Sequence, residues 1–496
     1  ALDWDNFSRF EDEISLSGDT WVLCEEGGAI PEAVTALGPN ILPLPLEATA
    51  SAAHSEGRVN MLVLGLLGEL LGLPADSLCE LAGEKLARKA DAFREAAVAS
   101  IRRGVEMRPE CQLAVPDRGE TGAWYLSGNQ AAGLGAIEAG IRFVAAYPIT
   151  PASDVLEWMA GGLESVGGHL VQAEDELAAI NMAIGAAFGG VPAFTATSGP
   201  GLALMSESIG LAVASETPVT ILNVMRGGPS TGIPTKSEQS DLNIALYGLH
   251  GDAPHLVLAP LDIADCVFTT GWAVSLAQQL QTPAIVLSDQ FIGQSTAVVS
   301  TPRRFEGAVA AMTAQESDNA YLRYRLTASG ISTAAAPGDV EQRFTADGLE
   351  HNEKGTPSAK DSDHQRQLHK REHKLQQFEY GEDWAAISGD GDVALVCFGS
   401  SSAAVTEAAE LLEKAGLSTR VISLRLLAPL RVDALAAALV GAGQAVVVEQ
   451  NHGAQLYHYL RGQMDFKQRL HSYAVAGPVP LNAGKLAEFV TGVTGK

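Results

Sequence analysis

Apolar runs recur along residues 119–328 with room for a helix between each pair: FVAAYPI, HLVQAE, PAFTATS, PVTILNVM, HLVLAP and PAIVLSD. Strands spaced by helical patterning predict a parallel sheet with helices on both faces, so the fold class is α/β. Residues 389–496 repeat the pattern on a smaller scale, with VALVCFG, TRVISLRLL and AVVVEQN around the helical run SSAAVTEAAELLEKAG. Residues 1–118 hold a strand-like WVLCEE and then helical spacing from Asn60 to Arg102. Between the two α/β sets, residues 329–388 change character. The run GLEHNEKGTPSAKDSDHQRQLHKREHKLQQ predicts a charged connector that ends in a helix.

In an open parallel sheet, ligands gather beyond the carboxyl ends of the strands. Thr150, Glu174–Glu176, Ser198–Pro200 and Arg226 all follow predicted strands, so one cleft could hold them all. YPITP, Tyr147 to Pro151, sits where a strand hands over to a helix, with Thr150 expected at the N-cap and Pro151 at the first helical position. The free N–H groups of such a turn, the helix dipole and the Thr150 hydroxyl together make an anion site. RGGPSTGIPT, Arg226 to Thr235, supplies a cation. The Arg226 fork fits a carboxylate in two hydrogen bonds, and Gly227, Gly228 and Gly232 let the backbone close around a small ligand. Taken singly, the strings are equally an ordinary helix start and a surface ion pair. Together in one α/β domain they imply a small carboxylate guest.

Composition limits the alternatives. At 496 residues the chain exceeds a single core, and about three domains are expected. A net charge of −26 repels nucleic acid and anionic membrane. ALDWDNFSRFEDE is too acidic for a signal peptide, and Met61–Leu73 is too short to span a bilayer, so a cytoplasmic protein with no membrane or nucleic-acid partner is expected. Cys24, Cys79, Cys111, Cys266 and Cys397 are scattered and never form CxxC, which argues against a disulfide framework, a zinc site or a complete iron–sulfur ligand set. His351, His364, His369 and His373 lie in the connector and read as solvated rather than metal-bound. Gly389-Asp390-Gly391 lacks the asparagine that a thiamine diphosphate–magnesium motif requires at a short distance and reads as a turn. Gly133-Leu134-Gly135 has Glu138 where a dinucleotide loop needs its third glycine.

YPITP, the run QAEDELAAINMAIGAAFGG from Gln172, TATSGPG from Thr195 and RGGPSTGIPT, in this order, resemble the alpha subunit of 2-oxoacid:ferredoxin oxidoreductases, closest to those acting on 2-oxoglutarate. The resemblance spans nearly the whole chain. It implies a partial gamma-like domain over 1–118, a pyrimidine-type thiamine diphosphate domain over 119–328, a connector over 329–388 and a transketolase C-terminal-like domain over 389–496. The gamma string GxGGQG is absent from these residues, which leaves coenzyme A contacts open. Thiamine diphosphate is activated by a buried carboxyl group at its ring nitrogen N1′, and Glu176, opening the apolar helix LAAINMAIGAA, matches that glutamate. An ordinary helix N-terminal carboxylate is the plainer reading of Glu176.

The resemblance further implies a site divided between chains. Tyr147, Pro148, Ile149, Glu176, Ser198, Gly199 and Pro200 would face the cofactor here, and Thr150, Arg226 and Thr235 would hold substrate, with Glu176 and Thr150 acting in catalysis. A beta subunit would carry the diphosphate, Mg2+ and a [4Fe-4S] cluster, with coenzyme A as co-substrate, ferredoxin as acceptor and a dimer of alpha–beta pairs as the assembly. Two anchors, Thr150 with its helix end and Arg226, suit a dicarboxylate, whereas pyruvate needs one. Alternatives are a pyruvate or broad-range 2-oxoacid enzyme, a non-catalytic assembly subunit, and a transketolase-like enzyme acting alone, the last opposed by the missing asparagine.

Overall fold

In a computed structural model of the chain, residues 4, 7, 16–109, 122–306, 321–338 and 342–495 are described. Cys111 and the expected boundary at residue 118 lie outside them. Two compact units result, Ala1–Thr121 and Gly122–Lys496.

The first unit opens with β1 (Trp21–Glu25), α1 (Glu32–Thr35) and β2 (Asn40–Leu44), the strands pairing in parallel. Four helices follow: α2 (Leu46–Ala53), α3 (Val59–Leu70), α4 (Ala75–Lys85) and α5 (Asp91–Glu106). Leu46, Ala50, Leu62 and Leu66 make one small core, and Cys79, Ala82 and Ile101 another.

The second unit runs β3 (Trp124–Ser127), α6 (Gly128–Glu138), β4 (Phe143–Ala146), α7 (Ser153–Ser165), β5 (His169–Gln172), α8 (Glu176–Phe188), β6 (Ala193–Thr197) and α9 (Gly199–Ala214). It continues through β7 (Thr220–Met225), α10 (Leu242–Tyr247), β8 (Leu256–Leu258), α11 (Asp265–Leu280), β9 (Ala284–Asp289), α12 (Gln290–Gln294) and β10 (Thr296–Val299) to the connector helix α13 (Asp361–Gln376). The last elements are β11 (Ala385–Ser388), β12 (Val393–Phe398), α14 (Ser401–Lys414), β13 (Thr419–Leu424), β14 (Leu426–Ala428), α15 (Val432–Ala438), β15 (Gln444–Glu449), α16 (Gln455–Gln463), β16 (Arg469–Ala474) and α17 (Ala483–Thr494).

The larger sheet has the order β14-β8-β9-β7-β6-β4-β5, parallel except for β14, a strand from the C-terminal region that pairs antiparallel with β8. Its middle strands β6, β7 and β9 are buried at every position, as strands covered on both faces must be. From β4 the chain steps outward to β5 and then returns to the other side as β6. That reversal opens a crevice at the carboxyl ends of β4 and β6, the place where such sheets take ligands. The smaller sheet, β11-β13-β12-β15-β16, has its own reversal between β12 and β15.

Two expectations change. Thr150 is not an N-cap and Pro151 is not the first helical residue: the Thr150–Pro151 peptide is cis, and α7 begins at Ser153 after Ala152. The turn instead closes on Ile149, whose carbonyl accepts from Ala152 N at 2.8 Å and Ser153 N at 3.0 Å, and Pro151 O accepts from Asn129 Nδ2 at 2.9 Å. The connector ends in a charged helix, α13, as expected, and Lys370, Arg371 and Lys374 are buried on it. His351 is not solvated: it is 1% exposed, and its ring nitrogens lie 3.1 Å from the carbonyls of Asn352 and Ala214. His364, His369 and His373 are exposed. Gly389 has φ +71° in a turn ahead of β12, and Gly133-Leu134-Gly135 lies within α6 rather than in a loop.

Candidate active site

The turns that follow β4, β5 and β6 lie at the carboxyl ends around the reversal between β4 and β6. After β6, Ser198 opens α9 with extended backbone, and Gly199, Pro200 and Gly201 form its first turn. After β5, Asp175 caps α8 by accepting from Ala178 N at 2.7 Å, which sets Glu176 at the first helical position with 7% exposure. Glu174, two residues earlier, is exposed. The α8 and α9 turns meet at Gly201. A Cβ there would lie 2.8 and 2.9 Å from Glu176 Cγ and Oε1 and would also strike Thr197 Oγ1. Glycine is therefore what lets the carboxylate lie flat against the turn.

Arg226 follows β7, the next strand of the sheet, and its Nη1 donates to Thr150 O at 2.6 Å. One bond thus joins the two substrate anchors expected from sequence, through the Thr150 carbonyl rather than its hydroxyl. Arg226 Nε is buried without a hydrogen-bond partner. Beyond it the loop folds on itself: Gly227 N donates to Lys236 O at 2.9 Å, and Ile233 N to Gly227 O at 3.1 Å. Gly232 and Thr235 both have positive φ, +70° and +36°, and Thr235 is half-buried at the loop's return. Tyr147, Pro148 and Thr150 are exposed, while Ile149 is partly buried.

The loop then crosses to the smaller sheet. Gln239 is fully buried there, donating from Nε2 to Phe398 O at 2.8 Å and accepting at Oε1 from Ser401 Oγ at 2.6 Å and Gln450 N at 2.9 Å. Phe398 ends β12 and Gln450 follows β15, so this side chain fills the reversal point of the second sheet. Backbone bonds flank the plug, Gln239 N to Gln450 O at 2.7 Å and Asn451 Nδ2 to Gln239 O at 3.3 Å.

Asp241, which the sequence reading did not single out, lies inside the same arrangement. Asn223 Nδ2 on β7 donates to its Oδ2 at 2.9 Å. Burial of the carboxyl head holds its pKa up to about 6, against the lowering effect of the Asn223 bond and the Arg226 charge. A polar Asn223 within the otherwise apolar strand TILNVM was the available signal. Around these groups, Ser198 Oγ, Asn223 Oδ1 and Ser240 Oγ are buried without partners.

Cys24, Cys79, Cys266 and Cys397 are unlinked and buried. Among the described residues no helix is long and apolar enough to cross a membrane, and no group of three or more His, Cys, Asp or Glu side chains could hold a metal ion.

A mainly parallel sheet, with a buried glutamate packed on a glycine turn beside its reversal point, fits the thiamine-diphosphate-binding domain that the sequence motifs imply. Residues 134–370 match the family described as pyruvate flavodoxin/ferredoxin oxidoreductase, thiamine diphosphate-binding, and residues 383–482 match the transketolase C-terminal domain. The chain is 32% identical over 490 residues to 2-oxoacid:ferredoxin oxidoreductase 2, subunit alpha, of Aeropyrum pernix, covering 89% of this chain and 76% of that one. It is 38% identical over 328 residues to the 2-oxoglutarate synthase subunit KorA of Archaeoglobus fulgidus, covering 66% and 88%. The solved 2-oxoglutarate:ferredoxin oxidoreductase of Magnetococcus marinus, with 2-oxoglutarate, coenzyme A and succinyl-CoA bound, superposes with a TM-score of 0.88 at 34% identity over 99% of this chain and 87% of that one. The chain belongs to the 2-oxoacid:ferredoxin oxidoreductases, as an alpha subunit.

Proposed function

We propose that this chain is the alpha half of an enzyme that converts 2-oxoglutarate, coenzyme A and oxidised ferredoxin into succinyl-coenzyme A, carbon dioxide and reduced ferredoxin, reversibly. The observation that carries the reading is the contact of Glu176 with the Gly201 turn: a largely desolvated carboxyl group packed on the first turn of α9, at the carboxyl end of the parallel sheet. Bound thiamine diphosphate supplies a nucleophilic carbon and an electron sink for decarboxylation. Toward it, Glu176 would share a proton with the ring nitrogen N1′ from Oε1 or Oε2. Tyr147, Pro148, Ile149, Ser198, Gly199 and Pro200 would line the aminopyrimidine. Arg226, with Thr150 and Thr235, would orient the carboxylates of the substrate.

A beta subunit completes the site. Leu177, Met182 and Leu204, on α8 and α9 around the crevice, are 46%, 44% and 52% exposed, an apolar face suited to a protein partner. That partner would bring the diphosphate pocket, Mg2+ and a [4Fe-4S] cluster, and the pairs would assemble as a dimer. Electrons would leave through it, since a chain of net charge −26 repels an acidic acceptor. Mixing experiments test this. The purified chain should be colourless and inactive, and activity with 2-oxoglutarate and ferredoxin should appear on adding the beta partner. Decarboxylation of 2-oxoglutarate by this chain alone would contradict the shared site.

A further inference from the structure

We infer that Gln239 is a positioning residue for substrate binding: by filling the reversal of the smaller sheet it fixes the return limb of the Arg226 loop, and through that limb the places of Arg226 and Thr235. The inference rests on the reading of Arg226 and Thr235 as substrate anchors. The loop has two unlike parts. Its tip, residues 228–231, is exposed, whereas Ser237, Glu238 and Gln239 on the return are 2%, 8% and 0% exposed. Consecutive buried polar side chains are unfavourable unless each is bonded, and each of these bonds a different element. Ser237 Oγ accepts from Phe291 N on α12 at 3.3 Å and donates to Asp289 Oδ1, at the end of β9, at 3.3 Å. Glu238 Oε1 accepts from Gly477 N at 3.0 Å.

Gln239 carries the most bonds. Its side chain bonds Phe398 O, Ser401 Oγ and Gln450 N, and its backbone N–H and carbonyl bond Gln450 O and Asn451 Nδ2. An amide is the side chain this place requires, since Phe398 O needs a donor while Ser401 Oγ and Gln450 N need an acceptor. Gly399 makes room for it: a Cβ there would lie 2.6 Å from Gln239 Nε2, and its φ is +61°. The placement is carried back to the anchors by the bond from Gly227 N to Lys236 O at 2.9 Å, which ties the residue after Arg226 to the residue between Thr235 and Ser237. A return limb that left its seat would take this tie with it. Fewer sites would then be competent to bind, and the apparent affinity for substrate would fall by the same factor.

The test uses the enzyme assembled with its beta partner. Gln239→Leu fills the volume but leaves Phe398 O, Ser401 Oγ and Gln450 N without their partner. It should raise the KM for 2-oxoglutarate roughly tenfold, with kcat changing less than KM and the affinity for thiamine diphosphate unchanged. A residue that only stabilised the fold would behave differently, since fewer folded molecules lower the maximal rate and leave the KM of the remainder as it was. Gln239→Glu keeps the shape and both accepted bonds but sets a carboxylate oxygen against Phe398 O, and it should raise KM in the same direction. Hydrogen exchange supplies a readout that needs no turnover. In both variants it should quicken over residues 227–233, which hold the loop's own Gly227 and Ile233 bonds, and stay as in the wild type over α8.

Arg226→Lys separates the two claims. It should raise KM roughly tenfold to a hundredfold by losing the fork geometry. If it does, yet the Gln239 variants keep the wild-type KM or the wild-type exchange of the loop, the inference fails and the anchor stands. If Arg226→Lys leaves KM unchanged, the anchor fails and takes the inference with it.

Discussion

At the scale of single residues, the site depends on how closely two turns approach. Gly201 has no room for a methyl group, because Glu176 and Thr197 occupy that space. Gly201→Ala should therefore push the Glu176 carboxylate off its seat at a cost of about 1–3 kcal/mol, the usual penalty of overpacking. Thiamine diphosphate affinity in the assembled enzyme, followed by calorimetry, should fall while the circular dichroism spectrum stays unchanged. Cofactor binding at wild-type strength would show that the contact is incidental. The positions of Glu176 and the SGPG turn at strand ends were legible because small-residue helices follow apolar strands there. The placement of Asp241 was not legible, since an aspartate before a helix looks like any cap, and its approach to Gly199 and Asn223 joins residues far apart in sequence. The Thr150 turn was misread for a different reason: sequence favours a proline at a helix start, while the local hydrogen bonds close on Ile149 two residues earlier.

At the scale of elements, the connector helix α13 is held by a buried ion cluster. Lys370 and Lys374 both bond the carboxylate of Glu216, Lys374 at 2.9 Å, and Lys374 also donates to Gln281 O at 2.9 Å. Arg323 joins through Gln281 Oε1 and Glu216 O. Burial pushes the Glu216 carboxyl group up, but Lys374, Lys370 and Arg323 overcome this and hold it well below the usual carboxylate range. A single carboxylate cannot compensate three cations, so burial still wins at the lysines and lowers Lys374 to about 8. Because the folded-state pKa of Glu216 lies below its unfolded value, its stabilisation is present at neutral pH and is lost as pH falls below the ordinary carboxylate range. Glu216→Gln should destabilise the chain by about 3–5 kcal/mol at pH 7. It should also flatten the acid limb of stability against pH in urea unfolding. An unchanged acid limb would mean that other carboxylates dominate. The helix itself was visible in the pattern of charges. Which of its charges are buried was not, because the partner carboxylate lies well over a hundred residues away at the end of α9. His351 was misjudged on the same grounds.

At the scale of the whole molecule, the second unit contains two large, mainly parallel sheets, each with a reversal point at its strands' carboxyl ends. At one reversal stand the turns that carry Glu176, Ser198 and Thr150, and the other is filled by Gln239. The same loop therefore runs from Arg226 to the hydrogen-bonded Gln239 in the C-terminal sheet. Alternation of strands and helices was enough to foresee both sheets. It could not foresee that β14, from the C-terminal region, would close the edge of the larger one, because that pairing is a long-range choice between strands. The central claim is that this chain supplies the carboxyl group on which thiamine diphosphate depends, and Glu176→Gln in the enzyme assembled with its beta partner tests it most directly. The account predicts that the complex forms and binds cofactor while kcat with 2-oxoglutarate falls by about 10²–10⁴. Turnover within a few-fold of wild type would contradict it.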